Sequence, residues 1–88
     1  IMAAVCKPGG EFNVAIAVDH LILAATDQNL GTCWIGWFER EPLKAILGIP
    51  DDLQVAILVT IGHPAEAPDA RPRKPLGQLV MDNEYRPA

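Results

Sequence analysis

The residues best suited to chemistry fall in two clusters. The segment Leu30-Gly31-Thr32-Cys33-Trp34-Ile35-Gly36-Trp37-Phe38 holds both tryptophans of the chain and one of its two phenylalanines. Its glycines lack the Cβ that keeps a backbone away from a neighbour, so a flat ligand can come close to main-chain N–H groups. On composition alone the segment reads either as a strand with bulky core side chains or as the wall of an aromatic-ligand site. The second cluster, Arg71-Pro72-Arg73-Lys74, puts three of the seven basic residues into four positions of an acidic chain. Guanidinium forks match phosphate or carboxylate oxygens two at a time, and Pro72 limits the freedom lost when both arginines are fixed. The plain alternative is a solvated charge run.

Other chemistries are poorly served. His20 and His63 have no second His or Cys at ligand spacing, so no metal site is expected. No Ser-His-Asp or Cys-His arrangement suggests itself, and Cys33 has no evident activating base. There is no GxGxxG and no P-loop. No catalytic side chain is therefore assigned, and any difficult step belongs to a cofactor. The net charge of −4 disfavours a nucleic-acid partner. No apolar run reaches the ~18–20 residues that span a bilayer, since Asp19 and His20 interrupt residues 14–25. No signal-peptide pattern is recognisable. Cys6 and Cys33, far apart and set among apolar residues, read as buried thiols of a reducing compartment, with the cytoplasm as the default.

The elements that must position the two clusters follow from periodicity. Ile1–Cys6 reads as a buried strand stopped by Pro8-Gly9-Gly10. Asn13 is the expected cap of a helix with Val14, Val18, Leu21, Ile22 and Ala25 on one face. Ala15, Ala17 and Ala24 keep its other faces small and apolar, which predicts burial on more than one side. Gly31 is its expected left-handed terminator. Cys33–Phe38 is the next strand. Pro42 reads as the first-turn proline of a helix with Leu43, Ile46 and Leu47 on one face, ended by Gly48 and Pro50. Val55–Ile61 is continuously apolar, as in a central strand covered on both faces. Residues 64–75 hold four of the eight prolines, so an extended arm is expected over 64–88. Pro75 starts a last short helix through Leu76, Leu79 and Val80.

Eighty-eight residues make one domain or part of one. A chain this short buries roughly 60–65% of its unfolded surface, yet half of its residues are apolar. That excess predicts an obligate oligomer or a piece of a larger domain. The chain opens on Ile1 and enters an apolar strand at once, and the expectation is a fragment.

Five pieces occur in a familiar order. They are Val18-Asp19-His20-Leu21-Ile22-Leu23-Ala24-Ala25, Asn29-Leu30-Gly31-Thr32-Cys33-Trp34-Ile35-Gly36, Leu43-Lys44-Ala45-Ile46-Leu47-Gly48-Ile49-Pro50, Ile61-Gly62-His63-Pro64, and Arg71-Pro72-Arg73-Lys74-Pro75-Leu76. Over nearly its whole length the chain resembles the C-terminal half of the nitroreductase family of FMN-dependent oxidoreductases. The resemblance implies an α+β fold, a mixed sheet flanked by helices, and an intertwined homodimer with FMN at the subunit interface. It implies hydride transfer from NAD(P)H to the flavin and on to a nitroaromatic, quinone or similar small-molecule acceptor. It sets Trp34, Ile35 and Gly36 against the isoalloxazine ring and Arg71 and Arg73 on the FMN phosphate. The family's N-terminal half, with its Arg-Arg-Ser-x-Arg type motif, has no counterpart in these residues. The alternative is a non-catalytic dimerising module that keeps the fold without a complete FMN site.

Overall fold

In the computed structural model, which describes residues 1–87, the order is β1 (Met2–Cys6), α1 (Glu11–Asp27), β2 (Gly31–Ile35), α2 (Arg40–Leu47) and β3 (Gln54–Gly62). A single 3₁₀ turn, Leu76–Gln78, follows. The strands form one sheet in the order β1-β3-β2, and both pairings are antiparallel. β1 and β2 therefore run the same way on either side of β3, and α1 crosses over between them. The class is α+β. Among the described residues the sheet is antiparallel throughout, without the parallel pair of a mixed sheet.

β3 is the centre because its apolarity is continuous. Val55, Leu58 and Val59 are buried, and Val55 is wholly so. β1 is paired on one edge only. Met2 and Val5 stay substantially exposed, which corrects the expectation of a buried first strand.

α1 begins at Glu11 with Gly10 as its cap, not at Asn13. The Lys7–Gly10 turn, closed by the Gly10 N–H on the Lys7 carbonyl at 3.0 Å, launches the helix earlier than the polar side chain would. Its five half-buried or buried positions are Val14, Val18, Leu21, Ile22 and Ala25, the stripe the spacing predicts. The other faces are open: Phe12, Ile16 and Leu23 are all exposed, so burial on several sides does not occur within this chain.

The helix ends at Asn29, which takes a left-handed φ of 61°. The Leu30 N–H reaches the Ala25 carbonyl at 2.9 Å and the Asn29 N–H reaches Thr26 at 3.0 Å, a Schellman closure. Gly31 is thus not the terminator but the first residue of β2. Directly opposed residues of an antiparallel pair share a face. Gly31 faces Gly62, and a Cβ on Gly31 would lie 3.2 Å from the Pro64 Cβ. Glycine there admits the start of the arm.

In α2 the packed residues are Leu43 and Lys44, while Ile46 and Leu47 are exposed. Lys44 is buried, its Nζ donating to the Asp51 carbonyl at 3.3 Å and lying 4.0 Å from the Glu41 carboxylate. Gly48 ends α2 in the left-handed region, as its sequence position predicts. Beyond β3, residues 63–80 are exposed throughout, Leu76, Leu79 and Val80 included, and the last helix shrinks to the 3₁₀ turn.

One polar contact ties α1 to β3. The Gln54 side-chain amide donates to the Glu11 carboxylate. That bond and the Glu11 backbone N–H, the larger influence, hold the carboxyl below its ordinary value of 4.5. A carboxylate held low in the folded state stabilises the fold above 4.5, and this contribution is lost as pH falls through the lower folded value. Melting curves between pH 3 and 7 should therefore show a decline on the acid side that is shallower in Glu11→Gln. In the same complete protein, Val59→Ala should cost about 1–3 kcal/mol at neutral pH by chemical denaturation.

Candidate functional site

β2 carries the first cluster and is an edge strand. Trp34 lies opposite Val59, and Val59 is also opposite Met2. Met2 and Val59 line a small cavity of about 80 Å³ with Val18 and Leu21 of α1. Trp34 therefore stands on the helix-bearing face, 42% exposed at its margin. Ile35, opposite Leu58, is half-buried on the other face.

The ladder stops at Ile35. Gly36 and Trp37 leave the sheet, and among the described residues no backbone hydrogen bond engages either of them. A Cβ on Gly36 would meet only the Ile57 Cδ1, at 3.5 Å, so its other side is open. Trp37 is 99% exposed. The segment thus offers unpaired main-chain donors beside a residue without a side chain. That combination suits the edge of a flat heteroaromatic ring.

Phe38 is held differently. The Arg40 guanidinium carbon sits 4.4 Å from the Phe38 ring centroid, a cation–π contact. The same side chain donates from Nε to the Val55 carbonyl at 3.1 Å and from Nη2 to the Ala56 carbonyl at 3.2 Å. Sequence reasoning does not single out Arg40. Its only visible signal is a cation two residues after an aromatic.

The second cluster lies on the arm. Arg71, Arg73 and Lys74 are exposed. The Arg73 Nη1 reaches only its neighbours' carbonyls, Arg71 at 3.4 Å and Pro72 at 3.3 Å. Among the described residues no ion pair involves either arginine, which leaves both cations available to an anion. No hydrogen bond joins them to residues 34–36. Trp34, Ile35 and Gly36 form one continuous piece, and the arginines form another.

An open groove of about 720 Å³ lies where the arm leaves the sheet, lined by Cys33, Thr60, Gly62, His63 and Glu66 among others. Cys33 is exposed and Cys6 half-buried, so only Cys6 approaches the expected buried thiol. Cys33 is on the surface because β2 is an edge strand whose outer face is bare at that position. Among the described residues no group of His, Cys, Asp or Glu could hold a metal ion, and no helix is long and apolar enough to cross a membrane.

Comparison with known proteins places this geometry. The model of the nitroreductase family matches residues 7–63. An NADPH-flavin oxidoreductase of Vibrio harveyi is 29% identical over 79 residues, 88% of this chain and 33% of the relative. An NADPH-dependent FMN reductase of Bacillus subtilis is 31% identical over 75 residues, 83% of this chain and 30% of the relative. Among solved structures, V. harveyi NADPH:FMN oxidoreductase complexed with NAD+ superposes with a TM-score of 0.84 at 28% identity, covering 90% of this chain and 35% of that one. NfrA1 of B. megaterium gives 0.83 at 30% identity, covering 93% and 36%. The chain spans about a third of the length of the curated relatives it matches.

The exposure difference between the thiols has a direct consequence. A maleimide added to the complete native protein should label Cys33 well before Cys6, as read by peptide mass spectrometry; equal rates would contradict the edge placement of β2.

Proposed function

We propose, on the premise that the chain belongs to the nitroreductase family, that it supplies one wall of an FMN site in an NAD(P)H-dependent oxidoreductase. The observation that carries this reading is the unpaired backbone of Gly36 and Trp37 at the open end of β2. Bound FMN would supply the redox chemistry, accepting a hydride from NAD(P)H and passing reducing equivalents to a small acceptor of the nitroaromatic or quinone kind. Every other contribution belongs to the protein's own residues.

Trp34, Ile35 and Gly36 line the ring. Gly36 lets the main chain come within hydrogen-bonding reach of ring heteroatoms, where a side chain would hold it off. Backbone donors fixed at a ring edge favour charge that develops there and need no reorganisation to do so. Arg71 and Arg73 hold the phosphate, with Pro72 between them restricting the arm. No side-chain acid, base or nucleophile is required of this chain.

The working assembly is a cytoplasmic homodimer. The exposed stripe of Phe12, Ile16 and Leu23 along α1 supports an apolar partner surface, and two free thiols suit a reducing compartment.

Titration of FMN into the complete apoprotein, followed by flavin fluorescence, tests the reading. Arg73→Ala should weaken binding roughly tenfold or more, the loss of one charge-assisted contact. Gly36→Val should weaken it at least as much while leaving the melting temperature within a few degrees. Wild-type affinity in both variants would remove the site from this chain.

A further inference from the structure

The two edges of β3 are covered unequally. β1 pairs along Gln54–Val59, and β2 pairs only along Leu58–Gly62. Continuing the β2 register by three residues would set Gly36 against Ile57, Trp37 against Ala56 and Phe38 against Val55. That continuation does not form. The two carbonyls it would approach, those of Val55 and Ala56, accept instead from the Arg40 guanidinium at 3.1 and 3.2 Å.

Consecutive carbonyls of a regular strand point to opposite edges, so one side chain does not ordinarily bind both. Here the register shifts between Ala4 and Val5, and Ala56 is left without a Cα partner in β1. This is a β-bulge, which bends the strand and re-aims its groups. The bulge brings both carbonyls to one planar fork. Arg40 in turn carries the Phe38 ring under its guanidinium. Lysine has neither the fork nor the flat face for this double contact.

We infer that Arg40 is the positioning residue of the ring wall: by taking the Val55 and Ala56 carbonyls and clasping Phe38, it keeps Gly36–Phe38 peeled away from β3. Its effect is to leave the Trp37 donor unpaired and Trp37 fully exposed, with Gly36 beside it off the sheet. Arg40 acts through the segment it holds and needs no contact with the cofactor. The inference rests on the FMN reading for its functional consequence, and on the Arg40 contacts alone for its structural one.

Two measurements on the complete protein separate these. The first is FMN affinity of wild type, Arg40→Ala and Arg40→Lys. The second is amide hydrogen exchange of residues 36–38 in the FMN-free forms. Arg40→Ala should weaken FMN binding about tenfold and slow exchange at Trp37 or Phe38, as the freed carbonyls take strand partners. Arg40→Lys, able to serve one carbonyl, should fall between. A simple loss of stability would not slow a local exchange rate, nor be graded by the lysine variant. Unchanged exchange at 36–38 in Arg40→Ala overturns the inference, whatever the affinity does. Slowed exchange with unchanged FMN affinity overturns its functional half. Wild-type protein that binds no FMN sinks the cofactor reading instead, and the exchange comparison then decides alone: slowed exchange sustains Arg40's hold on the segment, unchanged exchange overturns it.

Discussion

The staggered pairing of β3 governs the rest of the structure. Both neighbours overlap only at Leu58 and Val59. Those two residues are buried because strands flank them on both edges and α1 lies over the Val59 side. Away from the overlap each end of β3 lacks a strand on one edge. At the Gly62 end, β2 continues alone and the arm departs past Gly31. At the Gln54 end, β1 continues alone and Arg40 takes the carbonyls that β2 leaves. Backbone polar groups must be satisfied somewhere, so a strand that stops early creates a vacancy that something else fills. Here the Arg40 side chain, not a strand, fills it, and Gly36 and Trp37 stay off the sheet.

The same economy explains the apolar excess. α1 buries one stripe against the sheet, while Phe12, Ile16 and Leu23 remain in solvent at 86%, 58% and 62% exposure. A helix apolar on every side belongs in an interior. The sheet is only three strands wide, and its β1 edge is also partly bare. The sequence thus encodes more interior than these residues enclose by themselves, in line with a chain that spans a third of its relatives.

Periodic features were legible and terminal ones were not. The α1 stripe and the central position of β3 followed from spacing and continuous apolarity, because burial against a sheet imposes both. Asn13 and Gly31 were misread for one reason: several residues near each helix end could serve, and a local turn decided between them. Gly10, in the Lys7–Gly10 turn, pre-empted the Asn13 side chain. Asn29 tolerated the left-handed conformation and freed Gly31 for its contact with Pro64. In α2 the packed pair is Leu43 and Lys44, and the apolar pair Ile46 and Leu47 stays exposed within this chain. Arg40 was invisible because its partners are main-chain atoms fifteen and sixteen residues away, and main-chain acceptors leave no mark in a sequence.

The two clusters sit at opposite ends of β2. Gly36 and Trp37 follow its last residue, and the arm starts beside its first, at Gly31 and Pro64. Five residues of strand separate Gly31 from Gly36, roughly 16 Å. From His63 to Arg71 the chain can extend to about 25 Å. The arm is therefore long enough to fold back along β2 and bring its arginines to Gly36. It does not do so: residues 61–80 are all exposed. The radius of gyration is 16.7 Å, against about 12 Å for a compact domain of this length. An arm this rich in proline keeps its extension at little entropic cost. Arg71 and Arg73, unpaired among the described residues, therefore stand apart from Gly36 instead of closing on it.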